Sequence, residues 1–146
     1  MLKNEGRILP IPKNASVAII GQHATPVVLG GGGGMFQGSA VRFCEHIDIE
    51  GRLHEASRAA KACDYAVICT GTINKIESEG FDRETMDLTA TEYEMINTFL
   101  AVNPSKSVSV NFSGGPVGMT QFSDVAPAIM QVRFPSQEMG HSVTAI

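Results

Sequence analysis

Five carboxylates and one guanidinium crowd into the eleven residues Glu77-Ser78-Glu79-Gly80-Phe81-Asp82-Arg83-Glu84-Thr85-Met86-Asp87. Their sum, −4, equals the net charge of the whole 146-residue chain. A carboxyl held among other acids and partly withdrawn from water has its pKa raised, which is how a general acid stays protonated near neutral pH. Arg83 would oppose that effect locally by pairing with Asp82 or Asp87. By composition alone the same stretch reads as a solvated acidic loop. Calcium is the competing use of such acids, but the D-x-[DN]-x-[DN]-G spacing is missing.

Two further segments are candidates by residue type. The run from Gly30 to Gly34 suggests a phosphate cradle and fails the specific tests. No register gives G-x-G-x-x-G, and the P-loop spacing from Gly33 to Gly38 is followed by Ser39-Ala40, not Lys-Ser/Thr. Without that lysine no cation meets the terminal phosphates. The run then reads as a surface loop, or as one that brings bare backbone amides close to a polar ligand. Ser113-Gly114-Gly115-Pro116 reads as a strand-end turn. Nucleophilic serine chemistry has no support, since there is no G-x-S-x-G and no histidine partner in sequence.

Cysteine and histidine narrow the chemistry further. Cys44, Cys63 and Cys69 are odd in number and none forms C-x-x-C; Cys63 and Cys69 fall in apolar stretches, as buried free thiols do. His23, His46, His54 and His141 show no H-x-x-x-H or H-E-x-x-H spacing, so no metal site is expected, and no cofactor. The sequons at Asn14 and Asn111 carry no weight, and the second falls in a core strand.

The elements that must position these residues follow from periodicity. Ser16–Ile20, Tyr65–Thr70, Ser107–Phe112 and Ala128–Val132 are short apolar runs, β-branched and bounded by Gly or Pro. Such runs read as strands covered on both faces, the habit of parallel sheets. Leu53, Ala56, Ala60 and Cys63 recur at helical spacing between the first two of these runs. A second helix opens on Thr91-Glu92-Tyr93-Glu94, which fits a capping box, and stops at Asn103-Pro104. A third is expected to begin near Gln137. Strand–helix alternation predicts an α/β fold, a mostly parallel sheet flanked by helices, with ligands meeting the loops at the carboxyl ends of strands. The segments after Gly21, Gly71 and Phe112 are therefore where chemistry is expected.

Composition bounds the rest. Hydrophobic residues make up 43% and charged residues 18% of the chain, which is globular and long enough for one domain. A net charge of −4 gives no electrostatic case for nucleic acid or an anionic membrane surface. No apolar run approaches the roughly 20 residues of a spanning helix. The opening residues are not a signal peptide, so the expected location is cytoplasmic by default.

Together these landmarks resemble the C-terminal α/β-sandwich domain of glycoside hydrolase family 3, the β-glucosidase family. Leu2-Lys3-Asn4-Glu5-Gly6 with Ile8-Leu9-Pro10 is similar to the L-K-N-E-G-x-L-P segment that opens this domain. Val17 to Gly21 matches its first strand, followed here by Gln22-His23-Ala24 where P-N-A is usual. Leu29 to Gly34 matches its Gly-rich loop, with Met35 where a small residue is common, and Ala59 to Asp64 matches its A-A-x-x-A-D. Glu77 to Arg83 is similar to E-S-E-G-x-D-R, the most specific motif of the set. Ser113 to Val117 and Pro135 to Gly140 match S-G-x-P-V and P-G-Q-E-x-G.

The resemblance implies a retaining hydrolysis of terminal β-D-glucosyl residues, with no cofactor. An aspartate of a (β/α)8 barrel domain attacks the anomeric carbon, and a glutamate of this domain protonates the leaving oxygen and later activates water. By position that glutamate is Glu79, with Glu77 as the fallback. Asp82, Arg83, Gly32 and Gly33 support the loops. Residues 1–146 would form one partial domain, with 1–15 as a linker-like opening segment. The barrel and its nucleophile are not in this sequence, so the expected part is the acid/base lobe alone, inactive by itself. A non-catalytic carbohydrate-binding or interaction module is the alternative, or a remnant without function. The chain departs from the family's pattern at Thr89, where Pro is usual, and at Ser136, where Gly is usual. Gln131 and Arg133 stand in a stretch that is normally apolar or aromatic.

Overall fold

The computed structural model describes residues 1–21, 23, 42–47, 53–72, 76, 80 and 82–133, with the backbone path alone for 42–47. Six strands form one sheet: β1 (Lys3–Asn4), β2 (Ser16–Ile20), β3 (Arg42–Ile47), β4 (Tyr65–Gly71), β5 (Ser107–Phe112) and β6 (Ala128–Val132). Their order is β1-β6-β5-β4-β2-β3, with β1 antiparallel to β6 and every other pair parallel. The mostly parallel α/β sheet predicted from the sequence is thus present, and β2, β5 and β6 have their predicted limits. Two strands escaped prediction. β3 mixes Glu45 and His46 into its run and has no Gly or Pro boundary, while β1 is only two residues long.

Side chains of the parallel strands alternate between two apolar layers. One layer joins Ala18, Ile20, Ala66, Ile68 and Ile129 to helices α1 (Leu53–Ala62) and α2 (Ala90–Val102) through Ala56, Ala60, Ile96 and Phe99. The other gathers Val17, Ile19, Cys69, Val108, Val110, Phe112 and Met130, with Ile8, Leu9 and Ile11 of the opening segment packed on it. That segment is part of the sheet's architecture. Leu2 N donates to Ile129 O and Glu5 N to Pro127 O, both at 2.8 Å. The Asn4 side chain bonds both the N–H and the C=O of Leu9, each at 3.0 Å, and so closes the turn between them.

Helix α2 starts two residues earlier than predicted. The N-cap is Thr89, whose hydroxyl accepts from Glu92 N while Glu92 Oε2 accepts from Thr89 N, so the capping box pairs Thr89 with Glu92 rather than Thr91 with Glu94. The T-x-x-E pattern occurs in both registers. The observed register buries Glu92 against Gly71, and leaves Thr91 and Glu94 exposed. The C-cap falls at Asn103, as predicted, with its N–H on Phe99 O.

At the amino ends of β2 and β4, Asp64 Oδ2 accepts from Ser16 N (2.9 Å) and Ser16 Oγ (2.8 Å), and Asp64 N donates back to Ser16 Oγ. The Ser16 amide, then its hydroxyl, hold the exposed Asp64 carboxyl below the ordinary carboxylate range. A lowered folded-state pKa stabilises above the unfolded value and is lost as pH falls through the folded one. Asp64→Asn is therefore expected to lower the urea midpoint near neutral pH, with the gap from wild type closing below about pH 4. A gap unchanged down to pH 2 would show that ionisation of Asp64 contributes nothing.

Candidate functional site

β4 ends at Gly71, in the centre of the sheet, and the acidic stretch follows before α2 begins. Glu77 and Glu79, the proposed acid/base positions, lie outside the described residues, as do Gly32 and Gly33 of the glycine run and the helix expected near Gln137. What is described is the mounting of the acidic loop. Its two ends border a cavity of about 350 Å³, lined by Gly71 and Thr72 on one side and by 82–85, 87–89 and Glu92 on the other. Asp82 is exposed at this cavity.

The first stem is pinned from three directions. Gly71 N donates to Glu92 Oε1 (2.9 Å), Thr72 N donates to Phe112 O (2.9 Å), and His23 Nε2 lies 3.2 Å from Thr72 O. A carbonyl can only accept, so Nε2 carries the proton and Nδ1 is the bare nitrogen; it has no hydrogen-bond partner among the described residues. The ring stacks on Phe112 at 6.2 Å. Burial lowers the pKa of His23, against weaker opposing effects of the Thr72 carbonyl and the Glu92 charge, so the neutral ring is the form that fits.

The second stem is laced to the segment after β5. Arg83 reaches beyond the acids next to it in sequence: its Nη2 donates to Pro116 O at 2.8 Å. Asp87 is held by other groups, with Oδ2 accepting from Thr85 Oγ1 and Oδ1 from the Tyr93 hydroxyl, both at 3.2 Å. The alternative acceptor for that hydroxyl is Gly118 O at 2.9 Å, and Gly118 N donates to Met86 O. Pairing of Arg83 was expected with Asp82 or Asp87, one and four positions away; the contact with Pro116 spans 33 positions.

Ser113-Gly114-Gly115-Pro116 is more than a strand-end turn. Its last three carbonyls accept in turn from Arg133 Nη1 (2.9 Å), Ser113 Oγ (2.7 Å) and Arg83 Nη2 (2.8 Å). Gln131 Nε2 donates to Ser113 Oγ at 2.8 Å, and Asn111 Nδ2 donates to Thr70 Oγ1 at 3.2 Å, which makes a polar row across β4, β5 and β6. Gln131 and Arg133, departures from the family's pattern, take part with Arg83 in holding this turn. His23 and Glu92 also went unrecognised in the sequence. Their only signals were a polar residue just after the strand-end Gly21 and a second T-x-x-E register.

Cys63 and Cys69 are buried, and burial pushes the Cys69 thiol up to about 12, which keeps it protonated and inert. Among the described residues no three His, Cys, Asp or Glu side chains stand together as metal ligands. Asn111 is 1% exposed, so its sequon is shut inside the sheet. No described helix is long and apolar enough to cross a membrane.

The family model described as "Glycosyl hydrolase family 3 C-terminal domain" matches residues 1–146. "Probable beta-glucosidase H" of Aspergillus clavatus is 39% identical over 123 residues, which is 84% of this chain and 14% of that protein. A GH3 β-glucosidase of Bifidobacterium adolescentis superposes with a TM-score of 0.82 at 27% identity, covering 99% of this chain and 24% of that one. A β-glucosidase of Kluyveromyces marxianus, solved in complex with glucose, superposes over 66% of this chain and 11% of its own, at 34% identity and a TM-score of 0.59. The chain thus spans about one seventh of the length of the curated relatives it matches.

Proposed function

Since the chain belongs to glycosyl hydrolase family 3, as its C-terminal domain, we propose that it acts as the acid/base lobe of a retaining β-glucosidase. Glu79 is the proton donor in this reading, with Glu77 in reserve, and residues 1–146 act as one domain whose partner is a (β/α)8 barrel. The barrel's aspartate attacks the anomeric carbon of a terminal β-glucoside, and the bond to the aglycone oxygen breaks as Glu79 hands that oxygen its proton. The Glu79 carboxylate then takes a proton from water as the water oxygen displaces the aspartate, which returns both groups to their starting forms.

The observation that carries this reading is the mounting of the acidic loop. Its stems leave the carboxyl end of the central strand β4 and are tied by Glu92, His23 and Arg83 to three other parts of the chain. A general acid needs that kind of support, because proton transfer depends on placement to within fractions of an ångström. Asp82 and Arg83 belong to the support: Asp82 lines the cavity and Arg83 ties the loop to the 113–116 turn.

Purified alone, the chain is expected to give no turnover of 2,4-dinitrophenyl β-D-glucoside, whose leaving group needs no acid and which therefore tests for the nucleophile. Joined to the barrel of a family member from which the equivalent domain has been removed, it is expected to restore turnover. Turnover by the chain alone would overturn the division of labour. A folded, assembled two-lobe enzyme that turns over this substrate but not cellobiose would overturn the acid/base assignment.

A further inference from the structure

The stretch carrying the proposed proton donor lies between Gly71, where β4 ends, and Thr89, the N-cap of α2, and one buried side chain touches both points. Glu92 is 4% exposed. Its Oε1 accepts from Gly71 N (2.9 Å), and its Oε2 accepts from Thr89 N (3.1 Å) and Thr89 Oγ1 (2.8 Å). The two carboxylate oxygens thus fix the separation of the two stems. Each stem is otherwise tied elsewhere, Thr72 to His23 and Phe112, Leu88 to Tyr93, so among the described residues Glu92 is the group through which they are tied to each other.

We propose that Glu92 is the positioning residue of the acid/base loop: by holding both stems on one carboxylate, it sets where the side chain at position 79 stands. This rests on the acid/base reading above. Only a carboxylate performs the task. An amide of the same shape offers one acceptor and one NH2, and that NH2 would face a backbone N–H, donor against donor. A capping role alone would make a weaker demand, since one oxygen satisfies the N-cap and the other is free to meet water. Here the second oxygen is taken by an amide from a different strand.

The test begins with the 146-residue chain and amide hydrogen exchange at Gly71, Thr89 and Val110, the last a reference in the core strand β5. Glu92→Gln is expected to speed exchange at Gly71 or Thr89 by about tenfold to a hundredfold, the loss of one charge-assisted hydrogen bond. Glu92→Ala should do so at both, in each case with a smaller change at Val110. Unchanged rates at Gly71 and Thr89 in Glu92→Gln, or rates rising in step with Val110, would overturn the proposal. In the two-lobe enzyme, Glu92→Gln is expected to lower kcat/KM for cellobiose about tenfold or more through misplacement of the acid. For 2,4-dinitrophenyl β-D-glucoside kcat/KM should hold within about twofold, because no proton is needed there. Equal losses on both substrates would mark a merely structural residue and overturn the proposal. Glu79→Gln, measured beside it, separates the two ideas. If Glu79→Gln itself shows no dependence on the leaving group, the acid/base assignment fails, whereas the exchange rates still report on the clamp.

Discussion

Glu79→Gln, in an enzyme assembled with its barrel lobe, is expected to cut kcat/KM for cellobiose by about two to four orders of magnitude, the usual contribution of a positioned proton donor. The sugar leaving group departs as a poor alkoxide unless protonated, so loss of the donor falls directly on the bond-breaking step. For 2,4-dinitrophenyl β-D-glucoside the same variant should keep kcat/KM nearly intact, since the phenolate leaves unaided. Its kcat should fall, because the second step needs a base to deprotonate water. The glycosyl-enzyme then accumulates, and release of the phenolate should show a burst. Azide, an anion that needs no base, should restore turnover and yield the β-glucosyl azide. If Glu77→Gln shows this signature and Glu79→Gln does not, the proton donor is the earlier glutamate. If neither shows it, the acidic loop is not the source of the proton.

The second large effect is on stability. At Gly71 the backbone φ is +155°, and a Cβ there would overlap the carbonyl of Phe112, standing 2.7 Å from its carbon. The neighbour is backbone, at the last pair of the β4–β5 ladder, so it cannot yield without breaking that end of the pairing. Gly71→Ala is expected to destabilise by about 4 kcal/mol or more, in the range reserved for lost backbone room or buried defects. That corresponds to about 10 °C or more in Tm for a domain of this size. Gly80 is the internal control. Its φ is +77° but a Cβ would meet nothing within 4 Å among the described residues, so Gly80→Ala should cost only the conformational strain, about 1–2 kcal/mol. Equal costs at the two positions would show that close approach to β5 is not what demands glycine at Gly71.

Gly71 also illustrates what a sequence reader can and cannot see. The runs ending at Gly21 and Gly71 are legible because two-sided burial selects β-branched residues without alternation, and because each strand turns over its neighbour's backbone. The placement of the acidic stretch after one of these runs was legible for the same reason. Its anchors were not. Arg83 had nearby acids on which a local reading naturally settles, yet a surface ion pair is worth little, and the Pro116 carbonyl is brought within reach only by folding. The α2 cap was misplaced by two residues because Thr89 and Thr91 head equivalent patterns, and the choice between them is made by Gly71 in another strand. Gln131 and Arg133 look like damage to an apolar strand until the carbonyls of the 113–116 turn are seen to receive them.

Antiparallel pairing of β1 with β6 sets Lys3 beside Ile129 and Asn4 beside Ala128, so going backward from Lys3 the chain climbs toward the carboxyl ends of the parallel strands. Any polypeptide joined ahead of Met1 is therefore delivered to the rim from which the acidic loop emerges, three strand spacings away, about 14 Å. A barrel lobe joined at that rim would meet the loop at a local concentration set by the tether and not by diffusion, which would make assembly with it a unimolecular event. In such a fusion the short first strand would set where the tether enters, and cutting the chain there would turn an intramolecular closure into a bimolecular search.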